Sequence, residues 1–148
     1  MTRGLGVRPT GEGYLSQDLG YISELMANNR TYRVFPIACL QLWIVPPLAL
    51  GQARVFFDEK GRAVGYITWA FLSKEVADRW VNDPRFILHL SEWNEGGDLW
   101  IMDFFAVPGF AKIVFNEVRK EMFSDEKFAF SVRKSSPIGS RRVIRWRR

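Results

Sequence analysis

Leu99-Trp100-Ile101-Met102-Asp103-Phe104-Phe105-Ala106-Val107 decides the fold. Eight of these nine residues are apolar. Turn residues bracket the run, Gly96-Gly97 before it and Pro108-Gly109 after it. A short apolar run between such signals reads as a strand buried on both faces, at the centre of a sheet covered by helices. Asp103 is the exception within it. Side chains alternate along a strand, so Asp103 is expected to share a face with Ile101 and Phe105. An unpaired buried carboxylate costs at least several kcal/mol, so a partner is expected. Two readings stay open: an arginine pair or backbone cap, or a carboxylate that orients or charges a catalytic group.

Working outward, the flanking segments supply the rest of a single α/β domain. On the C-terminal side, 110–123 carries Ile113, Val114, Val118 and Met122 at helical spacing. Two late strands follow at 128–133 and 142–146, joined by a Ser/Pro/Gly loop. On the N-terminal side, Ser73 is placed to cap a helix that runs to about Asn82 and ends before Pro84. Before it, 52–57 and 63–71 read as a hairpin, with Gly61 available for positive φ in the turn. Residues 14–29 read as a helix, with Leu15, Leu19, Ile22, Leu25 and Met26 on one stripe. A second helix is expected over 36–44, opened by Pro36 and stopped by Pro46 and Pro47. Residues 1–13 are Gly-rich and polar and read as a flexible arm, leaving 14–148 as the domain. The expected fold class is therefore a mixed sheet flanked by helices in one domain.

Composition narrows the function. The 148 residues suit one domain, and 47% hydrophobic residues exclude wholesale disorder. One Cys and one His exclude a disulfide framework, a cysteine zinc site and a multi-histidine metal site. No apolar run is long enough for a membrane helix, and the first residues lack an apolar signal core, so a cytoplasmic protein without membrane insertion is expected. No G-x-G-x-x-G or G-x-x-x-x-G-K motif points to a nucleotide. The net charge of +5 is unevenly placed: residues 127–148 hold eight Lys or Arg and no acid. Such a tail attracts an acidic partner or is simply a solvated last strand. No helix-turn-helix, zinc module or RNP-type motif accompanies it, so a nucleic-acid-binding domain is the weakest reading and no nucleic acid is expected as partner.

The residues resemble a known family. Gly65-Tyr66-Ile67-Thr68-Trp69-Ala70-Phe71-Leu72-Ser73 is similar to the A-Y-C-S-W-A-x-L-S segment of the RTX-toxin-activating lysine acyltransferases, the hemolysin C type. Leu99 to Pro108 resembles that family's W-x-I-D-W-I-A-P strand. Asn29-Arg30-Thr31-Tyr32-Arg33-Val34-Phe35-Pro36 resembles its S-P-x-H-R-x-[WY]-P run. The resemblance implies a fold similar to GCN5-type N-acetyltransferases. It implies transfer of a fatty acyl chain from acyl-acyl carrier protein to internal lysines of an RTX protoxin, in the cytoplasm, by a homodimer. The carrier thioester is then a co-substrate and no cofactor is expected. The family's essential Asp falls on Asp103. Its catalytic His falls on Tyr32 and the nearby Ser on Asn29, while Arg33 and Pro36 match.

Acyl transfer to lysine needs an ε-amine of pKa about 10.4 freed of a proton, and a stabilised thioester oxyanion. Tyr32 is a poor base at neutral pH but a competent acid or oxyanion donor. Asp103 then orients or accepts the proton, and Asn29 positions. His89, the sole imidazole, is either structural or an alternative base from another position. Cys39 lies in an apolar context that suits core packing better than nucleophilic attack. Arg141, Arg142, Arg145, Arg147 and Arg148 suit docking of an acidic carrier protein, with Arg33 nearer the site. A family member that binds carrier protein or toxin without turnover is the alternative.

Overall fold

The computed structural model describes residues 4–6, 15–135 and 140–147, the side chains of 134, 135, 140 and 141 excepted. In chain order the elements are β1 (Leu5–Gly6), α1 (Leu15–Ala27), α2 (Val45–Ala49), β2 (Ala53–Asp58), β3 (Ala63–Leu72), α3 (Lys74–Asn82), β4 (Asp98–Ala106), α4 (Ala111–Glu117), β5 (Phe128–Ser135) and β6 (Ser140–Arg147). The six strands form one sheet in the order β1-β2-β3-β4-β5-β6. Every neighbouring pair is antiparallel except β4 with β5, which is parallel. The helix α4 makes the crossover that a parallel pair requires. This is the mixed sheet with helices expected from the sequence. Within the expected N-terminal arm, Leu5 and Gly6 pair with Asp58 and Phe57 at the sheet edge.

Local chemistry accounts for the elements. In α1, Ile22, Leu25 and Met26 are buried against Val55, Phe57 and Tyr66. Ser73 caps α3, its hydroxyl accepting from Val76 N at 3.3 Å. In the β2–β3 turn, Asp58 Oδ1 accepts from the backbone N–H groups of Lys60 and Arg62, and Gly61 takes φ +78°. Those donors, the Arg62 backbone first, hold the Asp58 carboxyl below its usual range. Gly65 lets β3 and β4 approach closely: a Cβ there would lie 2.6 Å from the Phe105 carbonyl oxygen. Under one face of the sheet lie α1, α2 and α3; α4 and the turn that continues it cover the other through Val114 and Val118, against Phe56, Val64 and Ile67.

Three expectations are corrected. The helix over 36–44 does not stop at Pro46 and Pro47. A π-helical turn, Leu40–Ile44, runs straight into α2, where both prolines occupy the first turn. The two absent N–H groups interrupt the hydrogen-bond ladder there, and the turn before them is the wider π-helical one, closed by the Val45 N–H on the Leu40 carbonyl. The helix over 110–123 keeps its span but changes pitch, α4 passing into a π-helical turn at Val118–Met122.

The third correction concerns β4. It is central, but only Leu99 and Trp100 are fully buried; 101–106 are half-buried. The pairing explains this. β4 meets β5 only at Trp100↔Phe130 and Ile101↔Ser131, and beyond them the two strands diverge. The register against β3 jumps from Trp69↔Ile101 to Thr68↔Asp103, so Met102 is the extra residue of a β-bulge. A bulge breaks alternation and bends its strand. Ile101 therefore packs on the α4 face with Phe104, whereas Asp103 and Phe105 lie on the opposite face. Asp103 shares a face with Phe105, as expected, but not with Ile101.

Candidate active site

Three segments distant in sequence converge on Asp103. The first follows α1. Asn29 Oδ1 accepts from the backbone N–H groups of Thr31 at 2.9 Å and Tyr32 at 3.1 Å. This side-chain turn fixes the backbone at the start of a 3-10 turn, Tyr32–Val34. The Tyr32 ring packs edge-on against Phe35 and Phe105, at centroid distances of 5.6 and 5.9 Å. Its hydroxyl donates to Asp103 Oδ1 at 2.6 Å, across 71 residues of chain. The second segment is β3: Tyr66, fully buried, donates to Asp103 Oδ2 at 2.6 Å. The third is β4 itself, whose bulge turns Asp103 onto this face. Both bonds have the short length of a charge-assisted O–H···O⁻ contact.

The electrostatics follow from burial and from the carboxylate. Burial, then the negative charge of Asp103, pushes both phenols well above the ordinary tyrosine range. Near neutral pH both are held protonated, as donors and not bases. Thr68, opposite Asp103 in the β3–β4 register, is fully buried, and its hydroxyl has no hydrogen-bond partner among the described residues.

The divergence of β4 and β5 opens a cavity of about 790 Å³ beside this cluster. That size lies within the range of small-molecule sites. Its lining comes from both sheet faces: Tyr32, Asp103 and Trp80 on one, Phe104, Phe115 and Trp146 on the other. Asn29 also borders it. The structure thus brings Asn29, Tyr32 and Asp103 together.

The remaining candidates lie elsewhere. His89 is exposed and outside the cavity lining. Its Nδ1 accepts from Ser91 N, and Glu92 Oε1 accepts from His89 N, so it caps the turn Leu90–Glu92. Cys39 is buried and Arg33 exposed, both away from the lining. Of the tail, Arg147 lines the cavity. Arg142 and Arg145 are exposed on β6, with the Arg145 guanidinium 4.8 Å from the Phe128 ring centroid. The Arg141 side chain and Arg148 lie outside the described residues. Among the described residues, no group of three or more His, Cys, Asp or Glu could hold a metal. No helix among them is long and apolar enough to cross a membrane.

Sequence reasoning missed Tyr66, and also Arg85, Arg119 and Arg133, which line the cavity. Tyr66 stands in the quoted strand segment, but only the β3–β4 register reveals that it reaches Asp103. Arg85, in the turn after α3, and Arg119, in the π-helical turn, carry no local signal, and Arg133 falls within the basic 127–148 stretch, which singles out no one residue.

Comparison with known proteins agrees with this architecture. The RTX toxin acyltransferase family matches residues 15–147. The chain is 29% identical over 102 residues to the RTX-II toxin-activating lysine-acyltransferase ApxIIC of Actinobacillus pleuropneumoniae, covering 69% of this chain and 62% of that protein. It is 29% identical over 123 residues to the protein-lysine myristoyltransferase RtxC of Kingella kingae, covering 82% and 72%. The chain thus spans about two thirds of these relatives' own lengths. Among solved structures, a GNAT-family acetyltransferase from Listeria monocytogenes 4b F2365 superposes with a TM-score of 0.51 at 12% identity, over 92% of this chain and 82% of that one. At that identity the likeness is one of fold.

Proposed function

The chain belongs to the RTX toxin acyltransferase family, and from that premise we propose that it acylates internal lysines of an RTX protoxin, with acyl-acyl carrier protein as donor. The observation that carries the reading is the half-buried Tyr32–Asp103 contact at the mouth of the gap between β4 and β5. In this reading the lysine nitrogen attacks the thioester carbonyl carbon, the C–S bond breaks, the carrier's sulfur leaves as thiolate and takes up a proton, and an amide forms. The carboxylate of Asp103 draws the ammonium end of the lysine and takes the proton the nitrogen loses. Tyr32, held protonated, donates to the developing oxyanion when its hydroxyl turns from Asp103 to the substrate. Asn29 holds the Tyr32 backbone in place. Arg147 and its neighbours on β6 steer the acidic carrier protein.

One observation favours a second reading, a family member that binds carrier or toxin without turnover. Both phenols beside Asp103 are strongly held in their neutral form, and no imidazole lines the cavity. Co-expression with an RTX protoxin, followed by mass spectrometry of its lysines, separates the two. Fatty-acylated lysines that disappear with Asp103→Ala support transfer. Acylation that persists in Asp103→Ala removes the proposed site, and unmodified lysines with the wild-type chain support the binding reading.

A further inference from the structure

The cavity has two unlike halves. The carboxylate and Tyr32 lie on the face covered by α1 to α3, among the apolar Trp80, Phe86, Leu88, Trp93 and Met102, so the carboxylate is what tells this half from the other. The half under α4 is bordered by Ile101, Phe104, Phe115, Ile144 and Trp146. Ile101 and Phe104 belong to a central strand and pack against the buried cluster of Ile67, Val114 and Val118, yet they remain half-buried and so also border the cavity. Arg119 and Arg133 are exposed at the rim of this half. Across it, Phe115 on α4 meets Trp146 on β6, with ring centroids 4.8 Å apart. The Trp146 indole is anchored from its other side, Nε1 donating to Ser131 Oγ at 2.8 Å. The Trp146 ring is thus held between β5 and α4.

We propose that the half of the cavity under α4 is the acyl-chain subsite, and that the Phe115–Trp146 pair sets the longest chain it accepts. The inference rests on the acyl-transfer reading and adds which face takes the chain. A saturated chain gains by burying each methylene against apolar walls and offers no partner to a carboxylate. It therefore belongs on the face without Asp103, and the lysine ammonium on the face with it. The cationic rim on the chain's side suits an acidic carrier.

The test uses the full chain with decanoate, myristate and stearate as probes, by calorimetry, beside acyl transfer from the matching carrier thioesters. Trp146→Ala is expected to raise stearate affinity relative to myristate by at least ~tenfold, the scale of a few methylenes in an apolar pocket. Ile144→Trp fills the same space and is expected to shift preference towards decanoate. Wild-type preference order in both folded variants overturns the subsite. Should Trp146→Ala fail to fold, Phe115→Leu takes its place beside Ile144→Trp. Shifted binding without any wild-type transfer upholds the subsite and overturns the acyl-transfer reading. Transfer with an unshifted binding order overturns the subsite alone.

Discussion

Asp103 sits on an apolar face, yet each of its oxygens receives a phenolic proton at 2.6 Å. Tyr66 is fully buried and its hydrogen bond goes to a charged group, the kind that is costly to remove. Tyr66→Phe should therefore lower stability by ~1.5–3 kcal/mol, read as a reduced urea midpoint at unchanged slope. The same pair makes stability depend on alkaline pH. Both phenols are raised in the folded state, so their contribution is complete below the unfolded tyrosine value of about 10. It is lost as pH rises above that value, because the unfolded chain then releases protons the folded chain keeps. Tyr66→Phe should flatten this alkaline loss in thermal melts at stepped pH. For activity, lysine ionisation is expected to dominate. kcat/KM should climb towards about pH 10.4 without an inflection near the histidine value of about 6.5. Tyr32→His should introduce that inflection and raise the rate at neutral pH. An identical profile in both proteins would remove Tyr32 from the reacting centre.

At the level of elements, one residue opens the site. Met102 is the bulge residue of β4, and it stands immediately after the last β4–β5 pair, Ile101↔Ser131. The bulge sets the face on which Asp103 emerges, and it coincides with the point where β4 and β5 part to make room for a ligand. Removing Met102 leaves Thr68↔Asp103 and Trp69↔Ile101 as consecutive pairs, so Asp103 keeps its face while β4 straightens. The deletion is expected to let β5 pair further along β4 and to close the cavity. Loss of myristate binding, with a urea midpoint no lower than wild type, would bear this out. Retained binding would show that the divergence has another cause.

Across the whole molecule, charge separates the two ends of the proposed reaction. Cavity-lining Arg85, Arg119, Arg133 and Arg147 outnumber the acidic groups that share the lining, Asp103 and Glu126. Steering of an acidic carrier by exposed cations weakens over a Debye length of about 8 Å at physiological salt. Raising ionic strength should raise KM for the carrier thioester and leave kcat in place. A salt-independent KM would count against electrostatic docking. Much of this molecule was legible in its residues. Local patterns are written in local chemistry: the leucine and isoleucine stripe of α1, Ser73 at a helix start, Gly61 in a turn, and an apolar run between glycines and a proline. A carboxylate set in that run demanded a partner, because burying it alone is too unfavourable, and the aligned motifs singled out Tyr32. What the chain could not announce was register. Whether Ile101 or Trp100 shares a face with Asp103, whether Tyr66 reaches its second oxygen, and where β5 leaves β4 depend on pairings between strands far apart in sequence. A single extra residue at Met102 reverses alternation, and only the assembled sheet, with every strand's hydrogen bonds satisfied together, decides which residue is extra.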